Sequence, residues 1–202
     1  MSVVWLNGPV GAGKSTLAHA VRALVHPVAP VATLDEDTVR EALADAGAWL
    51  DMEGAGDGPT DGVSAAAQLA GMARVLSQQG LVVVVAASAA PAAVLAWNRE
   101  NLPGYREVYL RASAETIKHR ARRRRAIDGA LGSASPSFLP TAGPAIAWVY
   151  TGPPLEPDLT LDMDNPEPPE LLAFRVAVLI PEYVVAAAGA AAMGRSRLRR
   201  GA

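Results

Sequence analysis

Short apolar runs alternate along the chain with stretches whose hydrophobic positions recur at helical spacing, an order that predicts strand then helix several times over. Residues 2–6 (Ser-Val-Val-Trp-Leu) form the first run, pass into a glycine-rich turn and are followed by a helical pattern over 15–25. A second strand is expected over 28–34 and a helix over about 37–46, with Asp37 as a candidate cap for its first turn. Residues 51–62, rich in glycine and acidic side chains and lacking any period, predict a mobile loop. A helix over 64–79 then feeds Leu81-Val82-Val83-Val84-Val85, a run without polar alternation, expected to form the buried centre of a parallel sheet.

A further helix begins near Pro91, residues 106–111 (Arg-Glu-Val-Tyr-Leu-Arg) read as a short strand, and an arginine-rich helix follows. Regular structure is not expected over 129–157, which is rich in Gly, Pro and Ser. Residues 158–162 alternate like a short strand, 170–180 predict a closing helix, and the Ala-rich, basic stretch 183–202 is expected to be a disordered tail. The β/α alternation over 1–182 argues for one α/β domain, a three-layer α/β/α stack with a mostly parallel sheet.

Composition narrows the chemistry. A chain of 202 residues, half of them hydrophobic, can bury one substantial core. With 18 basic against 20 acidic residues and a net charge of -2, no global field attracts a polyanion, so no nucleic-acid partner is expected. The absence of cysteine excludes thiolate metal sites and Cys nucleophiles, and three scattered histidines offer no zinc-ligand spacing. The longest apolar run, 81–87, falls far short of the ~18 residues that span a bilayer. No basic leader with a cleavage site opens the chain, so a cytoplasmic location with no membrane partner is expected. Oligomeric state is left open, a homodimer included.

Gly8-Pro9-Val10-Gly11-Ala12-Gly13-Lys14-Ser15 fits G-x-x-x-x-G-K-[ST] at every fixed position and lies between an apolar strand and a helix, the context this phosphate-binding loop requires. Its glycines let consecutive N–H groups wrap a phosphate, and the helix N-terminus adds about half a unit of positive charge. Gly8, Gly11, Ala12, Gly13, Lys14, Ser15 and Thr16 are therefore the candidate nucleotide-binding residues, with Lys14 on the β/γ oxygens and Ser15 on Mg²⁺. The pair Lys14 and Ser15 suits a triphosphate with a metal, which a dinucleotide-binding turn needs neither of. ATP and Mg²⁺ are the expected cofactors in a P-loop NTPase fold.

The second strand ends in Leu34-Asp35-Glu36-Asp37-Thr38-Val39-Arg40, which sets carboxylates and an arginine at the carboxyl edge of the sheet, where open α/β folds bind ligands. Asp35 is the candidate to accept the proton of an attacking hydroxyl or to hold a metal-bound water. Asp37 and Arg40 are the candidate acceptor-binding pair, Arg40 suited to an anionic group. The competing structural role is an N-cap with a surface arginine.

Three blocks now resemble one family, the adenylyl-sulfate kinases. Trp5-Leu6-Asn7-Gly8 and the loop through Thr16 are similar to that family's cradle. Residues 34–40 resemble its Leu-Asp-Gly-Asp-Asn-Val-Arg segment, and 153–162 (Pro-Pro-Leu-Glu-Pro-Asp-Leu-Thr-Leu-Asp) resemble its late Pro-Glu-Asn-Pro-Asp-Leu-Val-Leu-Asp stretch. The resemblance implies transfer of the ATP γ-phosphate to the 3'-hydroxyl of adenylyl sulfate. It also implies a lid over about 118–145, where Lys118 and Arg120 precede the run 122–125 and where Arg122 and Arg125 are the candidates to meet the moving phosphoryl group. The chain departs from the family on the acceptor side. Around 61–67 it reads Asp-Gly-Val-Ser-Ala-Ala-Ala in place of an Arg-x-x-Asn grip, around 86–91 small residues replace Phe-Ile-Ser-Pro, and Glu36 replaces a glycine. A small-molecule hydroxyl, anionic by the family's example, is the expected partner. A kinase of another hydroxyl compound (nucleoside, sugar or natural product) and a nucleotide-binding regulatory module without transfer activity are the alternatives.

Overall fold

Six successive small apolar residues, Val82 to Ala87, leave a strand no polar face to turn outward, so it must be covered on both sides. The computed structural model, which describes residues 1–45, 61–88, 90–131 and 156–200, meets that requirement. Its elements run β1 (Val3–Gly8), α1 (Lys14–Val25), β2 (Val31–Asp35), α2 (Glu36–Asp45), α3 (Asp61–Gln78), β3 (Val82–Ser88), α4 (Ala92–Asn101), β4 (Arg106–Arg111), α5 (Ala114–Leu131), β5 (Leu159–Asp162), α6 (Pro169–Ala177) and α7 (Pro181–Arg200). The five strands form one wholly parallel sheet in the order β2-β3-β1-β4-β5.

Alternation along each strand sorts the core into two layers. Val4, Leu6, Val82, Val84, Val108 and Leu110 face α1 and α6, where Leu17, Val21, Leu172 and Val176 meet them. Val3, Trp5, Val83 and Val85 face the other way, onto Leu69 and Ala73 of α3 and Val94 and Leu95 of α4. The three-layer α/β/α reading of the sequence therefore stands.

Three local expectations shift. The middle strand is β1, not β3; β3 is internal and buried, with β2 outside it. β2 starts at Val31 because the chain keeps turning after α1: the N–H groups of Val28 and Ala29 both donate to the Val25 carbonyl at 3.0 Å, and Pro30 follows. Residues 183–200, expected as part of a disordered tail, lie in α7. Proline suits the first turn of that helix and its alanines favour propagation. Its start is anchored, with Tyr183 against the core and Ser2 Oγ donating to Glu182 Oε2 at 2.8 Å. No single helix among the described residues is long and apolar enough to cross a membrane.

Candidate active site

The carboxyl ends of β1, β2 and β3 converge on the loop between β1 and α1. Gly8, with φ +154°, lies so close to β4 that a Cβ would stand 2.6 Å from the Leu110 carbonyl oxygen. Gly13 occupies the left-handed region (φ 103°) at the N-cap of α1. Between them Ala12 N–H donates to the Pro9 carbonyl at 3.1 Å, which closes the loop. No side chain caps the first turn of α1 and no acidic residue lies in it, so its N–H groups and the positive end of the helix dipole face outward. Ser15 and Thr16 are exposed on that turn.

Lys14 is folded back over the cradle. Its side chain is 7% exposed, and Nζ donates to the carbonyls of Gly8 at 3.0 Å and Pro9 at 2.9 Å. Burial pulls its pKa down to about 8, against the opposing pull of Glu36 first and then Asp37 and Asp35. The three carboxylates at the end of β2 thus act electrostatically on the cradle itself.

Asp35 performs the capping for which Asp37 was expected. Its Oδ1 accepts the N–H groups of Asp37 at 3.1 Å and Thr38 at 3.4 Å, which fixes the carboxylate at the start of α2. Asp37 is exposed and pairs with Arg40 at 3.5 Å. Glu36 takes the inner position: Oε1 accepts from Arg40 at 2.8 Å and Oε2 from the Ser88 N–H, at the end of β3, at 2.7 Å. Arg40, expected to be available to an anionic acceptor, is already engaged by two carboxylates of its own helix.

On the opposite side α5 delivers an arginine, though not one of the two expected. Arg120 donates through Nη1 to the Ala12 carbonyl at 2.8 Å and through Nη2 to the Met163 carbonyl, just past β5, at 2.6 Å. Arg122 is exposed, and the side chain of Arg125 lies outside the described ones, as does most of the expected lid.

The model of the adenylylsulphate kinase family matches residues 1–129, which include the cradle, the β2 edge and Arg120. The chain belongs to the adenylyl-sulfate kinase family. An adenylyl-sulfate kinase of Chloroflexus aurantiacus is 30% identical over 178 residues, 88% of either chain. One of Myxococcus xanthus is 38% identical over 85 residues, which is 42% of each chain. Among solved structures, the Mycobacterium tuberculosis APS kinase in complex with AMPPNP and APS superposes with a TM-score of 0.62 at 21% identity, over 89% of this chain and 96% of that one. At that identity the likeness speaks for the P-loop kinase fold. Family and fold together make this kinase an ATP-dependent phosphotransferase.

Beneath the kinase site lies a buried polar group that sequence reading missed. Glu107, wholly buried on β4, accepts from Arg99 of α4 at 2.7 Å and from Asn7 Nδ2 at 3.4 Å. Burial raises its carboxyl above the ordinary glutamate range, with Asn7 and Arg99 opposing. On its own face of β4 Glu107 alternates with Tyr109 and Arg111, so no apolar pattern in the sequence marked it as buried.

Proposed function

We propose that this kinase transfers the ATP γ-phosphate to a hydroxyl of a small molecule bound beside the β2 edge, with Mg²⁺ accompanying the nucleotide. The observation that carries the reading is the uncapped start of α1, with Lys14 held on the loop's own carbonyls, facing the fixed carboxylate of Asp35. The amides of Gly8, Gly11, Ala12, Gly13 and Lys14, with Ser15 and Thr16, cradle the phosphates, and Lys14 exchanges the Gly8 and Pro9 carbonyls for β/γ oxygens. One Asp35 oxygen is committed to capping α2; the other accepts the acceptor's proton as its oxygen bonds to phosphorus and the bond to the ADP oxygen breaks. Arg122 and Arg125 meet the moving phosphoryl group when the lid closes.

No group of three or more His, Asp or Glu among the described residues could hold a metal. The exposed Ser15 hydroxyl, a single hard oxygen beside the phosphate site, fits Mg²⁺, which takes most of its ligands from phosphates and water. When bound, that ion would neutralise charge on the β and γ oxygens.

The family's acceptor is the 3'-hydroxyl of adenylyl sulfate. A different hydroxyl acceptor is the second reading, favoured by the engagement of Arg40 with Glu36 and Asp37. Coupled ADP release with MgATP, measured against adenylyl sulfate and a panel of nucleosides, sugars and natural-product alcohols, separates the two. ATP binding without ADP formation on any acceptor would sink the kinase assignment in favour of a regulatory module.

A further inference from the structure

The carboxylate of Glu36 spans two donors at the carboxyl edge of the sheet. Oε1 takes the Arg40 guanidinium at 2.8 Å, and Oε2 takes the Ser88 backbone N–H at 2.7 Å across 52 residues of sequence. A guanidinium beside an outward N–H at a strand end is the donor set by which proteins hold a sulfate, phosphate or carboxylate. Here the protein supplies that anion from its own chain. The side chain of Glu36 is 18% exposed, so the pair is only partly screened by water.

Charge at the edge points the same way. Asp35, Glu36 and Asp37 share this edge with two cations, Arg40 and the cradle's Lys14, and the exposed carboxylate of Asp37 adds a second contact to Arg40 at 3.5 Å. An anionic group arriving beside α2 must displace Glu36 from both donors and then share the space with three carboxylates. The Glu36 carboxylate, only 18% exposed, would then repel the newcomer with little screening, while Asp37, 81% exposed, adds a weaker, screened repulsion.

Resting on the kinase reading above, we infer that Glu36 is a specificity-determining residue that excludes anionic acceptors, and that the acceptor is a hydroxyl compound carrying no charge in the part that faces α2, as in a neutral sugar or nucleoside. The sequence-based expectation of an anionic partner gives way to this one. An uncharged polyol or ribose hydroxyl needs neither Arg40 nor the Ser88 N–H as a counter-charge. It can still present its proton to the unengaged oxygen of Asp35.

Two variants separate the charge of Glu36 from its shape. Glu36→Gly clears the carboxylate from both donors. Glu36→Gln keeps an oxygen for the Ser88 N–H and removes only the charge, which guards against a result that merely reflects misfolding. Adenylyl sulfate is titrated calorimetrically into the full chain held with MgADP, and ADP release is followed with adenylyl sulfate, D-ribose, D-glucose and adenosine as acceptors. The wild-type chain is expected to bind adenylyl sulfate more weakly than about 1 mM, and both variants to bind it at least about tenfold more tightly. Turnover in the wild-type chain is expected only with uncharged acceptors. The proposal is overturned if wild type and variants bind adenylyl sulfate with equal affinity, or if wild type phosphorylates adenylyl sulfate faster than the neutral compounds. Absence of ADP release on every acceptor would count against the kinase reading alone, because the calorimetric comparison judges Glu36 without turnover.

Discussion

Arg120 and Ala12 meet across the site, the guanidinium of α5 donating to the backbone carbonyl of the phosphate loop at 2.8 Å. The same guanidinium holds the Met163 carbonyl at 2.6 Å, so one side chain ties the cradle to the end of β5. We expect Arg120→Ala to loosen the loop and weaken ATP binding about tenfold, roughly 1.4 kcal/mol, with a smaller effect on kcat. Arg120→Lys should recover less than half of that loss, because an ammonium cannot bridge the two carbonyls as a planar fork does. Arg122→Ala should act the other way, lowering kcat while ATP affinity stays. Calorimetry with ATP and steady-state kinetics on the three variants check the split.

Lys14 gives the site a pH dependence of definite sign. In the free chain its pKa is drawn down to about 8 by burial, whereas bound polyphosphate favours the ammonium form and raises that value. ATP binding should therefore take up a proton near pH 8.5 and weaken by up to about tenfold per pH unit above pH 8. Titrations in two buffers of different ionisation enthalpy measure the uptake directly; equal heats in both would refute it.

Asp35 is anchored through one oxygen by two backbone N–H groups, bonds that an asparagine side-chain oxygen can keep. Asp35→Asn should accordingly leave folding and ATP affinity within about twofold while reducing kcat at least about a hundredfold, the usual scale of lost general-base catalysis. Parallel loss of kcat and ATP affinity would make Asp35 a structural cap and nothing more.

Gly8 has no room for a side chain. A Cβ there would lie 2.6 Å from the Leu110 carbonyl, backbone that cannot step aside, at φ +154°. Gly8→Ala should destabilise the fold by about 2–4 kcal/mol, from steric overlap between β1 and β4 together with the unfavourable backbone angle. Denaturant titration monitored by far-UV circular dichroism provides the measurement.

What could be read from the chain beforehand follows from how local each signal is. The loop from Gly8 to Ser15 and the run through β3 are written in consecutive residues, and both lie where their patterns placed them. Strand order is not local: the uniform valines of β3 suggested the centre, yet β1 holds it, with β3 and β2 on one side and β4 and β5 on the other. The arginine run shows the limit of composition. On a helix each residue turns by about 100°, so Arg122 lies roughly 200° from the Arg120 face that meets the loop here, and the phosphoryl role proposed for it requires the lid to close. Ile117, three residues earlier on the Arg120 face, packs 3.5 Å from where a Gly11 Cβ would be. A helical-face argument from Ile117 would have singled out Arg120. Glu36 was visible only as a substitution for glycine. Its partner Ser88 lies 52 residues on, and no spacing rule connects them.

Whether the cradle at the start of α1 grips the phosphates of ATP through Lys14 is tested most directly by side-by-side titration of MgATP into the wild-type chain and Lys14→Ala. The wild type should show one saturable site with Kd in the range of about 1–100 µM, and Lys14→Ala should show affinity lower by at least about a hundredfold. Equal affinities in the two proteins, or no saturable site in the wild type, would contradict it.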